Sequence, residues 1–187
     1  MPAGSPSGLV QAGAWLFRNR GWLPVPLLFL GVVLGPRHWA PGLVLMTLGE
    51  ALRLWAVGHI GLPSRTRGDG VGALVLTGPY ARVRNPLYVG NMLVFAGFGV
   101  LTWPAALVIV PLLAVHYHAI VAWEEHNLRS RLGEAYVRYC EQVPRWGFGG
   151  TARPGRWDGR RAFRSERSTL IVIGLVLSLV FLRSAPL

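Results

Sequence analysis

Long apolar runs separated by short arginine-bearing segments dominate this chain, and their lengths predict its elements. Trp22 to Gly35, preceded by Arg18 and Arg20, predicts a first, rather short membrane helix. Pro24 and Pro26 fall near its start, where proline is tolerated, and no small-residue cleavage site follows that would mark a secretory signal. Pro41 to Ile60 predicts a second helix of spanning length. Leu87 to Trp103 and Ala105 to Trp123 predict a third and a fourth, and the Thr102-Trp103-Pro104 turn is too tight for anything but an antiparallel hairpin.

The pattern then changes. Leu128, Leu132, Tyr136, Tyr139 and Val143 recur at helical spacing among charged residues, with Glu125/Arg129 and Glu134/Arg138 at i,i+4. This predicts an amphipathic helical segment at the membrane surface, interrupted at Gly133. Ser168 to Leu182 predicts a last membrane segment, its shortness offset by snorkelling of Arg167 and Arg183. Met1 to Gly13 is expected to be poorly ordered, Gly61 to Asn85 to form a polar loop, and Gly147 to Arg167 a linker. The expected architecture is an all-α integral membrane bundle of about five transmembrane helices with an amphipathic helix on the cytoplasmic face. Residues 1–146 are read as the core and 147–187 as a linker with an additional C-terminal membrane helix.

Composition supports membrane insertion. Hydrophobic residues make up 52% of the 187 and charged residues 14%, with a mean hydropathy of +0.40, too apolar for an ordinary soluble domain. The net charge of +11 comes from basic residues that are all arginine. They flank the apolar segments instead of forming one basic face, which argues against nucleic acid as a partner. Arg18, Arg20, Arg65, Arg67, Arg82, Arg84 and the ten arginines from Arg129 to Arg167 fall on one side of a five-span topology, against Arg37 and Arg183 on the other. The positive-inside rule then assigns the richer side to the cytoplasm, in a chain that looks bacterial and is expected in the cytoplasmic membrane.

Several motifs reduce to plain readings. Cys140 is the only cysteine, so it forms neither an intrachain disulfide nor a cysteine metal cluster and is read as packing. Gly68, Gly70 and Gly72 mimic a nucleotide-binding spacing, but no βαβ unit surrounds them. His116 and His118 project about 200° apart on a helix, poorly placed to share a metal, and no metal site is expected. Glu50 and Arg53 share one face of the second helix; they either line a polar reaction centre or form an ion pair that holds helices together.

The densest stretch is GPYARVRNPLYVG, Gly78 to Gly90. Asn85-Pro86 signals a helix beginning at the proline, which sets Arg82, Arg84 and Asn85 beside the electropositive end of that helix, a good place for anionic groups. This segment resembles the cofactor-binding signature of the membrane methyltransferases that include isoprenylcysteine carboxyl methyltransferases and phospholipid N-methyltransferases. Glu124-Glu125, Leu128, Gly133, Tyr136, Tyr139 and Val143-Pro144-Arg145 resemble the second signature of that superfamily, in the expected order. One departure is Asn85, where most members carry histidine; some phospholipid methyltransferase relatives also have asparagine.

The resemblance implies S-adenosylmethionine as cofactor, held by Tyr80, Arg84, Asn85, Pro86, Tyr88, Gly90, Glu124, Glu125, Tyr136, Tyr139 and Arg145, with Glu124, Glu125 and Arg84 at the reaction centre. Carboxylates can accept from the ribose or amine of such a cofactor. Arg84 or Arg145 can clamp its carboxylate, and Tyr88, Tyr136 and Tyr139 suit adenine at a wet edge. The acceptor is expected to be a membrane lipid or lipophilic small molecule arriving sideways. A phospholipid amine and a prenylcysteine-type carboxyl both stand, and an amine needs a base, for which Glu124, Glu125 and His59 are candidates. A non-catalytic adaptor or transporter is the reading from another class; the few short helices and the lack of an inverted repeat count against it.

Overall fold

The structure is a computed structural model and describes residues 7–22, 24–60 and 74–184. Those residues form an all-α bundle without strands: α1 Gly8–Arg18, α2 Val25–Leu34, α3 Trp39–His59, α4 Pro86–Leu101, α5 Ala106–Leu132, α6 Glu134–Gln142 and α7 Gly159–Ser184, with a 3-10 turn at Gly78–Ala81 before α4. By length and composition α3, α5 and α7 can each cross a membrane, whereas α2 and α4 are apolar but shorter. At 1.5 Å per residue α2 reaches only ~15 Å. The arginine-rich segment 61–73, with Gly68, Gly70 and Gly72, lies outside the described residues.

The centre of the bundle is the α3–α4 pair, which meets through glycine. A Cβ on Gly49 would lie 2.6 Å from the Gly90 carbonyl oxygen, and one on Gly97 would lie 2.6 Å from that of Gly42. Small residues at both crossings let the backbones approach closely, as helices do where lipid supplies no hydrophobic drive. Phe98, Leu101, Ile109, Tyr117 and Ile120 then pack α4 against α5, and Val180 brings α7 into the same core.

Three boundaries differ from expectation. The chain is helical from Gly8, not irregular to Gly13, because α1 docks on α5: Phe17 and Trp123 stack at 4.5 Å, and Gly13 sits against the Ala119 carbonyl. The fourth predicted helix does not stop at Trp123; α5 runs on to Leu132 and ends where Gly133 takes φ +52°. Glu125 therefore does not pair with Arg129, which is exposed while Glu125 is buried among other partners. The last helix begins at Gly159, well before Ser168, and Asp158 caps it by accepting from the Arg161 N–H.

The remaining linker, 147–158, is strapped down. Gly149 donates to the Arg82 carbonyl, Gly78 to that of Arg153, and Asp158 to that of Gly58. Trp157 covers Gly58 and donates its indole N–H to the Leu54 carbonyl. The strap thus ties the end of α3 to the turn before α4.

Candidate functional site

The sequence around Asn85-Pro86 folds as its turn signals predict. Pro86 occupies the first turn of α4, where its missing N–H costs nothing, and the preceding Arg84 N–H donates to the Pro144 carbonyl. That one backbone bond lays the second signature segment beside the first. α6 packs on the same place through Tyr136, Tyr139 and Val143, with Leu76, Leu128 and Leu132 beneath. The Tyr139 hydroxyl donates to the Tyr80 carbonyl at 2.8 Å.

Glu125 stands at the middle. It is only 2% exposed, and three residues from two separate segments converge on its carboxylate. Arg145 grips it with two prongs, Nε to Oε1 at 3.1 Å and Nη2 to Oε2 at 2.7 Å. Arg84 Nη1 lies 3.2 Å from Oε1 and also donates to Cys140 Sγ at 2.9 Å. The Asn85 amide reaches both Glu125 Oε1 and the Arg145 carbonyl at 3.5 Å. The bidentate fork is the strong form of such pairing, and the hydrogen bond to Glu125 holds the Arg145 guanidinium firmly protonated. One carboxylate against two guanidinium groups leaves a positive surplus.

Glu124 faces another way, as adjacent helical positions diverge by about 100°. It accepts the Tyr88 hydroxyl at 2.7 Å, and Tyr88 in turn stacks near Tyr117 at 5.3 Å. Phe17 of α1 packs on Trp123, next to Glu124 in the chain, and so brings the end of α1 and Arg20 to this part of α5. Arg20 also covers the Phe17 ring at 3.8 Å. Sequence reasoning used Arg20 only as a topology marker; its signal was the amphipathic stretch from Gly8, whose docking on α5 carries the chain to Glu124.

Of the residues predicted for the site, the structure brings together Tyr80, Arg84, Asn85, Glu125, Tyr136, Tyr139 and Arg145, with Pro86 shaping the helix entry and the Tyr88–Glu124 pair one step along. Burial pushes the Tyr136 and Tyr139 hydroxyls above the ordinary tyrosine range, and the Glu125 charge adds to this, so both rings are neutral. Gly90 is elsewhere: it packs against Gly49 and the Arg53 stem in the α3–α4 crossing. His59 bonds to the Trp55 carbonyl of its own helix and lies against Gly78. His116 is buried and His118 exposed, on opposite sides of α5.

A second polar cluster joins α3, α4 and α7. Arg53 Nε pairs with Glu50 at 3.0 Å, Nη1 with the Asn91 side-chain oxygen, and Nη2 with Glu166 and with Thr169 Oγ1 at 3.1 Å. Glu166 is fully buried. Glu166 was not singled out from the sequence, because it lies in what read as a linker.

A cofactor of the S-adenosylmethionine type fits the Glu125 cluster on two observations. Arg84 Nε is buried without a hydrogen-bond partner, and the positive surplus suits an anionic group such as a carboxylate.

Comparison with known proteins places the sequence in a family. The sequence model of the phospholipid methyltransferase family matches residues 37–135, over half the chain, and the protein belongs to that family. The match runs from before α3 into α6. Among individual relatives, the chain is 29% identical to a nickel-cobalt-cadmium resistance protein of Alcaligenes xylosoxydans xylosoxydans, over 82% of this chain and 60% of the relative. It is 33% identical to a cobalt-zinc-cadmium resistance protein of Cupriavidus metallidurans, over 66% of this chain and 50% of the relative. The chain thus spans between half and three fifths of the length of these curated relatives. No solved structure matches it.

Proposed function

We propose that this protein is an S-adenosylmethionine-dependent methyltransferase acting on a lipophilic acceptor at the cytoplasmic face of the membrane, with a phospholipid headgroup amine as the leading acceptor. The observation that carries the reading is the two-to-one pairing of Arg84 and Arg145 on buried Glu125, built from both signature segments. The names of the curated relatives state a resistance and no reaction; family membership supports methyl transfer.

When bound, the cofactor supplies an electrophilic methyl group on a sulfonium, which the acceptor's lone pair takes as the carbon–sulfur bond breaks. The chain's own task is to hold and align. Arg84 and Arg145 offer the positive surplus for a carboxylate, and Glu125 keeps both guanidinium groups oriented. The neutral Tyr136 and Tyr139 rings supply apolar faces beside them. Tyr88 and Glu124 form a second polar pair, where Glu124 can receive the proton that an amine acceptor must lose. In-line displacement gains most from such positioning.

The test is calorimetric titration of detergent-purified, lipid-supplemented protein with S-adenosylhomocysteine, beside the Arg145→Gln variant. Micromolar binding, weakened about tenfold in the variant as losing a charge-assisted fork predicts, supports the reading. Well-folded protein that binds nothing overturns it. Labelled-methyl transfer into a lipid extract then separates acceptors, because a methyl ester is released by alkali and an N-methyl group is not.

A further inference from the structure

Between α2, α3, α4 and α7 lies a cavity of about 260 Å³. Its apolar walls are Leu28 of α2, Met46 of α3, Phe95 and Phe98 of α4, and Ile173 and Val176 of α7. It exists because α7 packs mainly on α3 and α2, leaving a gap along α4. The outer wall is α7, which lies beyond the segment that matches the family. We propose that this cavity seats the hydrocarbon tail of the methyl acceptor, an inference that rests on the methyltransferase reading.

Two observations select that occupant. First, the polar edge of the cavity, formed by Arg53, Asn91 and Thr169, has its strongest donor engaged: each guanidinium nitrogen of Arg53 already has a partner. A charged headgroup entering there would have to break that set, and losing a buried pair is expensive, whereas a hydrocarbon chain asks nothing of it. Second, the cavity leads to the signature site. Asn91 lies three residues beyond Tyr88 on one face of α4, and Tyr88 stacks near Tyr117 and is the partner of Glu124. A chain lodged against Asn91 therefore carries its polar end toward Tyr88 and Glu124. In this arrangement α7 sets which tails are accepted, and the Arg53–Glu166 pair keeps α7 at the right distance from α4.

The experiment is photolabelling of the protein by a phosphatidylethanolamine carrying a diazirine midway along one acyl chain. Labelled peptides are mapped by mass spectrometry, and S-adenosylhomocysteine is titrated into the same preparations. Ile173→Trp and Val176→Trp fill the cavity from two positions, so either suffices if the other fails to fold. Label is expected on the cavity side of α4 and α7, at Phe95, Ile173 and Val176, above the outward-facing Ile171 and Leu175. In the filled variants it should fall by about tenfold, the response to bulk that a packed pocket cannot accommodate, while S-adenosylhomocysteine binding is unchanged. Even labelling around α7, or label indifferent to the tryptophans, overturns the cavity assignment and leaves the methyltransferase reading standing. Site-specific labelling of folded protein that never binds S-adenosylhomocysteine overturns the acceptor assignment together with that reading.

Discussion

Two buried carboxylate–arginine clusters, built from the same residue types, carry opposite charge balances among the described residues. At the signature segments one carboxylate, Glu125, faces two cations, Arg84 and Arg145. In the middle of the bundle one cation, Arg53, faces two carboxylates, Glu50 and Glu166. The first opens to solvent at one edge, with the Arg145 side chain 31% exposed; the second is closed around fully buried Glu166. A positive surplus with an open edge and an unpartnered Arg84 Nε suits a place that receives an anion. A closed cluster whose arginine is engaged at every nitrogen suits a joint between helices. In each, the minority member is the keystone, because its loss leaves two like charges facing each other in a low-dielectric setting.

The comparison breaks first at the keystones. Arg53→Met removes the cation that buried Glu50 and Glu166 share, and should cost about 3–5 kcal/mol. The variant is expected to fail to fold or to melt far below wild type in a detergent thermal-unfolding scan. Glu166→Gln, which removes one of the two like charges, should be much milder. An equal loss in both variants would refute the keystone argument. Replacing Glu50, Arg53 and Glu166 together by Met, Met and Leu should restore most of the stability lost by Arg53→Met, since apolar substitutes for a whole buried set are often neutral.

At the signature cluster the matching substitution is Glu125→Gln. It should destabilise by a comparable few kcal/mol and weaken S-adenosylhomocysteine binding by about a hundredfold, the consequence of two arginines losing their shared orienting partner. Arg145→Gln sharpens the contrast: stability should stay within about 1 kcal/mol, as expected for a partly exposed ion pair, while affinity falls. If Arg145→Gln melts the protein and Glu125→Gln does not, the roles assigned to this cluster are reversed. Tyr88→Phe removes one hydroxyl from Glu124 and should cost about 1–2 kcal/mol, read as a lowered melting temperature with S-adenosylhomocysteine affinity retained.

The signature cluster was largely legible in the sequence because local rules placed it. Asn85-Pro86 fixed where α4 begins, and periodicity put Tyr136 and Tyr139 on one buried face. The partner of Glu125 was not legible. The i,i+4 rule offered Arg129, but α5 turns Glu125 inward and Arg129 outward, and the arginines that pair with it, Arg84 and Arg145, arrive from far upstream and from twenty residues downstream. Gly90 looked like part of a binding motif, yet its lack of a side chain serves the crossing with Gly49. The second cluster was half visible, in Glu50 and Arg53 at i,i+3. Its other half, Glu166, sat among arginines and glycines that carry no hydrophobic period, so nothing local showed that α7 starts at Gly159. α1 was missed for a different reason: its small residues masked the amphipathic stretch from Gly8, whose Gly13 meets the backbone of α5.

The smallest effect tests the outer layer of the signature cluster by pH. The chain has no lysine, so its alkaline behaviour is read at the tyrosines. Burial holds the Tyr136 and Tyr139 hydroxyls above the ordinary tyrosine range. For a group whose folded pKa is raised, the stabilisation is fully present below the unfolded pKa and is lost as pH climbs through the folded one. Stability should therefore be flat up to pH ~10 and decline above it, as the unfolded chain releases protons that the folded chain retains. Tyr139→Phe also removes the hydrogen bond to the Tyr80 carbonyl, costing about 1 kcal/mol at neutral pH, and it should remove about one proton from the alkaline slope. Unfolding scans of both proteins between pH 8 and 11, values chosen to bracket the ordinary tyrosine pKa of ~10, measure the two effects separately. An unchanged slope beside a lowered neutral-pH stability would mean that Tyr139 contributes its hydrogen bond while its titration is carried by its neighbours.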